Sequence, residues 1–512
     1  MLTQDDIIYF IVTDRFSNGD PENDQDVDLS NPNGYHGGDF QGIIDRIPYL
    51  QHLGVTALWI TPVFENSHLP QHGHYGYHGY WPFDFEKVDQ HLYSPKPGVP
   101  AGSKRYLKDL VDQLHAAGIK VILDIVVNHT AYDHPGLKEG GHPVIKPHWF
   151  NPPKSESEVG DIGSWLSGLP DFKADIPEVA DYLVQMVADW IGETGVDCIR
   201  MDTAKHVEGV FWHYYKTLIK GKYPTISLLG EVLDYNIDHI SSYQRHFAFD
   251  SLFDFPLQRA TENAFIFGQS CKQIAAPYST LQNPGSGILD QDNAYTNHNK
   301  LVTLLDNHDL AARFLTRALE HSNNNHAWAE HTLKLALIFM LTSRGIPQIY
   351  YGTELGLEGR HDPDNRRDMP WHLIPNGLEP DVEKNKGTSE IFQLTKQLIG
   401  VRKASQALKY GSQLTLYVDD RIYVYMREYR NEWVVVALNL NDEDMTMPLE
   451  VSFAFNEIIP PRIKEDMEKQ QYVDILRQVP SGHAKDKKFV IQLHKRSAAI
   501  LMPLKQMLVS VA

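Results

Sequence analysis

Eight short apolar runs, separated by helix-like stretches, constrain this 512-residue chain more than any other feature. They are IIYFIVTDRF (7–16), VTALWITPVF (55–64), KVILDIVVNH (120–129), DCIRMD (197–202), TISLLGEV (225–232), FDSLFDFPL (249–257), KLVTLLDNHD (300–309) and IPQIYYG (346–352). Most are apolar on both faces, as parallel strands covered on both sides must be. Amphipathic patterns lie between them, such as KRYLKDLVDQLHAAG (104–118) and VADYLVQMVADWIGETG (179–195), each closed by a helix-stopping glycine. Eight strand–helix alternations predict an α/β fold, a (β/α)8 TIM barrel.

Two stretches break the alternation. Residues 130–178 are rich in Pro, Gly and His without a helical period, and too long for an ordinary connection. They predict a small inserted domain B after the third strand, dividing the barrel into 1–129 and 179–405. From about 406, LTLYVDDRIYVYMREY and NEWVVVALNL alternate with period two, which predicts a C-terminal antiparallel β-sandwich, domain C, over 406–512.

A formal net charge of −19 argues against nucleic-acid and anionic-membrane partners, since phosphate is repelled. No apolar run reaches the length of a bilayer span. Cys198 and Cys271 are too few for a disulfide framework. MLTQDDIIYF lacks the basic-then-apolar order of a signal peptide, so the expectation is a cytoplasmic protein, a mature secreted form being the alternative. The expected substrate is neutral, and the expected state is a monomer or weak homo-oligomer.

Strand periodicity puts Cys198, Arg200 and Asp202 on one face, which in a closed barrel points inward. A charge there is costly unless paired. A structural Arg–Asp pair would explain those two residues, but Glu231 and Asp309 also end apolar runs. Three carboxyls at C-terminal strand ends, where barrel enzymes build their sites, suit glycoside hydrolysis. There one carboxylate attacks the anomeric carbon while a second carboxyl, its pKa raised, protonates the leaving oxygen.

With DIVVNH (124–129), GVDCIRMDTAKH (195–206), GEVL (230–233), LLDNHD (304–309) and LPDFK (169–173), the sequence resembles the α-amylase family of retaining glycoside hydrolases and transglycosylases, glycoside hydrolase family 13. The resemblance implies that Asp202 is the nucleophile, Glu231 the acid/base and Asp309 a third, transition-state-stabilising acid. Arg200 would hold the nucleophile, and His129 and His308 would bind the sugar at the cleavage point. In YGYHGYWPFDF (75–85) it implies Tyr77 as the ring stacking on that sugar. Asp362 and Arg366 would grip sugars toward the non-reducing end, and Lys205 and His206 would lie on the leaving-group side.

The resemblance further implies one or two structural Ca2+ ions, whose ligands would be hard oxygens. SNGDPEND (17–24) with GGDF (37–40) is similar to the N-terminal calcium loop of cyclodextrin glucanotransferases, on which Asn18, Asp20, Asn23, Asp24, Gly37 and Asp39 fall. A second site would use Asn128, Asp171 and the backbone of His206. Among family members, the opening IYFIVTDRFSNGDPEND is nearest to those transferases and related bacterial α-amylases. Two aromatic positions of the transferases are Leu233 and Ser167 here, and the chain ends after one β-domain. The expectation is an α-amylase-type hydrolase of starch and maltooligosaccharides. The alternatives are a glucan transglycosylase and, from a different class, a non-catalytic glucan-binding homologue.

Overall fold

The computed structural model describes residues 1–154, 160–276, 285–453, 459–477, 479–483 and 486–506. All eight runs supply a parallel strand: β1 (Ile8–Ile11), β2 (Ala57–Ile60), β3 (Lys120–Ile125), β4 (Cys198–Met201), β5 (Ser227–Gly230), β6 (Ser251–Leu252), β7 (Val302–Thr303) and β8 (Ile346–Tyr350). Their order is β6-β5-β4-β3-β2-β1-β8-β7, and a parallel bridge between Phe253 and Val302 joins the two ends into a barrel.

The strands are shorter than the apolar runs because the chain leaves the sheet as soon as it passes the barrel waist. After β6, Asp254 accepts from the Leu257 N–H at 3.1 Å, and Pro256 sits in the first turn of helix Phe255–Phe265, where a missing N–H costs nothing. After β7, Asn307 Oδ1 accepts from the N–H groups of Asp309 (2.9 Å) and Leu310 (2.8 Å), turning the chain across the barrel mouth. The two amphipathic stretches become helices Arg105–Ala116 and Pro177–Thr194, and Gly195 takes the left-handed conformation that ends the second.

The segment after β3 carries 3-10 turns and two isolated bridges, His129 to Asp171 and Phe150 to Phe172. Phe150 stacks on Phe172 (centroids 4.9 Å apart), and Phe172 meets Phe85 at 5.9 Å. Phe85 belongs to an antiparallel hairpin, Phe64–Asn66 with Pro82–Val88, that sequence periodicity did not single out. Hairpin and insert together wall one side of the barrel mouth.

In the C-terminal region, β9 (Ser412–Val418), β10 (Ile422–Tyr429) and β11 (Glu432–Asn439) pair antiparallel, and β11 pairs with Ser497–Pro503. Helix Pro461–Lys469 interrupts the strands, which the alternation pattern did not predict. Period two sorts the sheet's faces. Tyr423, Tyr425, Val434 and Val436 join the barrel's core, while Val424, Met426, Trp433 and Val435 build a second core within the β-region. Among the described residues, no helix is long and apolar enough to cross a membrane.

Candidate active site

A cleft of about 410 Å³ opens at the C-terminal ends of the strands, and Asp202, Glu231 and Asp309 all line it. Arg200, wholly buried, forms the floor beneath them. Strand register sets Arg200 beside Asp124. Its Nη1 donates to both oxygens of Asp124 (2.8 and 2.9 Å) and to Asp202 Oδ1 (2.8 Å). Its Nη2 lies 2.6 Å from Glu231 Oε1 as an ion pair. One guanidinium thus touches three carboxyls. Asp124 was given no role from the sequence, although a lone acid in an otherwise apolar strand was the available signal. It also accepts from Trp59 Nε1 (3.0 Å) and the Tyr80 hydroxyl (2.8 Å).

Glu231 Oε2 accepts from the Thr203 N–H at 3.1 Å. Thr203 has φ 47°, a left-handed conformation unfavourable for a β-branched residue, and it aims that N–H into the site. Burial dominates the titration of the floor. It pushes Asp202 up to about 7 against the pull of Arg200, with Glu231 and Asp309 repelling its charge. It pushes Asp124 up to about 8 and raises Glu231 as well. One guanidinium cannot neutralise three buried carboxylates, so burial and mutual repulsion raise the carboxyls of the floor together.

Asp309 lies 3.4 Å from His308 Nε2 and 3.6 Å from Arg366 Nη2, and Arg366 Nη1 is 3.3 Å from Asp362. Burial lowers the pKa of His308, and that of His129 to about 4, so both rings face the cleft neutral. His129 Nε2 is 3.1 Å from the Tyr80 carbonyl. On the opposite wall, Lys205 Nζ reaches Leu233 O and Asp161 Oδ1, both at 3.3 Å. His206 Nδ1 lies 2.8 Å from Asp161 O, and the Leu233 side chain, 38 % exposed, projects into the cleft.

Tyr77 is a correction. Its ring is only 6 % exposed, lies under the Arg15 guanidinium (3.8 Å), and turns its hydroxyl to Arg366 behind the cleft wall. Tyr80, three residues on, lines the cleft instead and stacks on His308 (5.1 Å, 16°). A dense aromatic motif cannot say which ring faces the ligand; the path of the loop decides it. His78, Trp81, Tyr132 and Leu166 also line the cleft and were not anticipated.

Asn18, Asp20, Asn23, Asp24, Gly37 and Asp39 come together in one loop. Asp39 is its hub, accepting from the N–H groups of Gly19, Asp20 and Gly42 and from Asn23 Nδ2. Asn18 donates to Asp24 at 2.6 Å, while Asp20 caps its own turn through the Glu22 N–H. Asn23 Oδ1 and Asp24 Oδ1 are buried without a hydrogen-bond partner, and a Cβ at Gly37 would sit 2.7 Å from Asp24 Oδ1. At the second location, Asn128 O accepts from the Phe172 N–H, beside Asp171. Asp171 Oδ2 accepts from Asn151 (2.7 Å), whereas Oδ1 is buried and unpartnered. Burial pushes the Asp171 carboxyl up to about 7, an environment a cation would relieve. Both oxygen sets fit a hard cation. Among the described residues, no three His, Cys, Asp or Glu side chains converge on a metal-sized site, so amide and carbonyl oxygens would have to complete each set.

A closed parallel barrel with an arginine-clamped set of carboxyls at its C-terminal mouth defines an acid/base enzyme of the barrel class. Residues 10–159 and 162–411 match the model of the α-amylase catalytic domain. The chain is 34 % identical over 445 residues to a Beta/alpha-amylase of Paenibacillus polymyxa, covering 84 % of this chain but 33 % of that protein. It is 32 % identical over 459 residues to a cyclomaltodextrinase of Thermoanaerobacter pseudethanolicus, covering 85 % and 70 %. The solved α-amylase of Geobacillus thermoleovorans, complexed with acarbose, superposes with TM-score 0.78 at 31 % identity, covering 98 % of this chain and 99 % of that one. The chain belongs to the α-amylase family of glycoside hydrolases, and it is an enzyme.

Proposed function

We propose that the enzyme hydrolyses α-1,4-glucosidic bonds in starch and maltooligosaccharides with retention of the anomeric configuration. The observation that carries this reading is the single guanidinium of Arg200 in contact with both Asp202 and Glu231 at the cleft floor. Contact with one guanidinium keeps the two carboxyls near each other, and closely spaced carboxyls suit a double displacement better than the wider gap that admits a water between them. In the first step the Asp202 carboxylate bonds to C1 as the C1–O bond breaks, and Glu231 gives its proton to the leaving oxygen. In the second, Glu231 takes a proton from water, the water oxygen bonds to C1, and Asp202 leaves as carboxylate. Asp309 and the neutral His129 and His308 hold the sugar through its hydroxyls. Tyr80 offers the flat ring beneath it. Three ionisable carboxyls kept together in one cleft argue against a non-catalytic homologue.

Calcium belongs to this reading as a structural ion. Asn23, Asp24 and Gly37 around one centre, and Asn128 with Asp171 at the other, would hold it, and Asp171 would thereby tie the insert to the barrel. Excess chelator should lower the melting temperature, since an ion bound only by the folded state stabilises it by mass action. An unchanged melting curve, with calcium restored or removed, removes the metal from the proposal.

The rival reading is transglycosylation, in which a sugar replaces water as acceptor. Leu233 favours water, because an aliphatic side chain offers an acceptor sugar less flat surface than a ring. Product profiling on starch, maltotriose, pullulan and cyclodextrins tests the choice. Reducing ends should appear in step with bond cleavage, and Leu233→Phe should raise transglycosylation relative to hydrolysis about fivefold, the equivalent of ~1 kcal/mol. Abundant cyclic product from the wild type overturns the hydrolase assignment.

A further inference from the structure

The 166–169 stretch of the insert presents Leu166, Ser167 and Leu169 to the cleft, none of them aromatic. Position 167 itself is part of a sharp turn. Ser167 has φ 53° and Gly168 φ 84°, so two successive residues are left-handed and the turn projects no large side chain toward the ligand. Tyr132, from the loop that follows β3, packs against this turn. Its hydroxyl donates to Ser167 O at 3.1 Å, and a Cβ added at Gly168 would come 3.5 Å from the ring. The ring also meets Trp81 edge-to-face (5.4 Å, 78°) and His72 edge-to-face (5.8 Å, 82°). Tyr132 is thus held by two neighbouring rings and at its hydroxyl tip while it lines the cleft, only partly buried.

An aromatic ring locked in one orientation and left partly bare in a polar cleft is organised for a ligand with an apolar face. The ordering of its side chain has already been met by the fold, so little is lost on binding. A pyranose ring presents such a face. We propose that Tyr132 is a sugar-stacking platform that holds a glucose unit away from the cleavage point and so sets which chain lengths are cut efficiently. The proposal rests on the glucan-hydrolase reading above and adds a specificity-determining residue to it.

The same contacts allow Tyr132 to be a strut for the Ser167–Gly168 turn, and two substitutions separate the roles. Tyr132→Phe keeps the ring and removes the hydroxyl; Tyr132→Ala removes both. With the full chain, kcat/KM is measured on maltoheptaose and on maltotriose. Tyr132→Ala should lower the maltoheptaose value about fivefold, mainly through KM, and change the maltotriose value less than twofold, while Tyr132→Phe stays within about twofold on both. Equal losses in the two variants assign the effect to the hydroxyl strut and overturn the platform. So does a Tyr132→Ala loss that is the same on both substrates. If wild type releases no reducing ends from either sugar, the hydrolase reading fails. Calorimetric binding of maltoheptaose then judges the platform alone, which falls if wild type and Tyr132→Ala bind equally or neither binds.

Discussion

Arg200 and Arg427 are both wholly buried, at opposite ends of the same barrel, yet they are satisfied in opposite ways. Arg200, at the mouth, is surrounded by Asp124, Asp202 and Glu231, which hold its pKa well above the ordinary guanidinium value despite burial. Arg427 lies where the C-terminal sheet meets the barrel and has backbone carbonyls for partners: Thr342 O at 2.8 Å and Gly411 O at 2.9 Å. Arg402 beside it donates to Leu341 O (3.0 Å), Ser343 O (2.9 Å) and Gly345 O. Burial, and for Arg427 the neighbouring Arg402, pushes this pair down, to about 9 for Arg427 and about 10 for Arg402.

Apart from Gly411 O, the carbonyls belong to the last turn of helix His326–Thr342 and the residues leading into β8, where a helix leaves acceptors unpaired. A cation there completes a joint and needs no partner that can change charge. At the mouth the partners are carboxyls, groups that can gain and lose protons. The same residue type is a fixed cap in one region and an electrostatic setting for acids in the other.

The contrast is sharpened first by Asp202→Asn. Activity should fall on the order of 10⁴-fold, because an amide cannot form the glycosyl-enzyme. The melting temperature at pH 8 should not drop. Burial raises this carboxyl, so its charge costs the folded state stability above that pKa, and the amide escapes that cost. Reducing-end assays and thermal melts on one preparation check both halves. A large loss of stability would mean that Asp202 is chiefly a structural partner of Arg200.

Arg200→Met should be next in size. It leaves buried carboxyls facing one another, a destabilisation of roughly 3–5 kcal/mol, together with loss of turnover. Denaturant titration measures the first and the reducing-end assay the second. Arg427→Met should cost about 1–3 kcal/mol, the penalty for carbonyls left unpaired, with kcat within twofold of wild type. Loss of activity without loss of stability in Arg427→Met would break the division between a catalytic floor and a structural joint.

The smallest effect is in the pH profile of kcat/KM, which should be bell-shaped with limbs of about tenfold per pH unit. Activity falls at alkaline pH as Glu231, raised by burial, loses the proton it must donate. It falls at acid pH as Asp202, pushed up to about 7, gains a proton that stops its attack. Both limbs belong to the coupled set and both should lie above those of exposed carboxyls, whose values are roughly 3.9–4.3. An acid limb at the ordinary aspartate value would show that Arg200 outweighs burial.

The mouth of the barrel was far more legible in the sequence than its base. Arg200 and Asp202 stood out because strand periodicity placed two charges on a face that should be apolar. Arg402 and Arg427 gave no such signal. One sits in a helix and the other in an alternating strand, positions where an arginine ordinarily faces water, and their partners are carbonyls that every residue carries. Asp124 is a lone acid in an apolar run, and only the register of β3 against β4 brings it to Arg200.

Sequence by itself determined the strand–helix alternation, hence the barrel, and the identity of the acids at its strand ends. Both follow from local periodicity, which depends on nothing outside a few neighbouring residues. Tertiary structure alone decided how soon each strand leaves the sheet and which ring of a dense aromatic loop faces the cleft. It also decided that Tyr132 would meet Ser167, 35 residues away. Those outcomes depend on loop paths and on backbone groups brought together from distant segments, and no spacing within one segment encodes them.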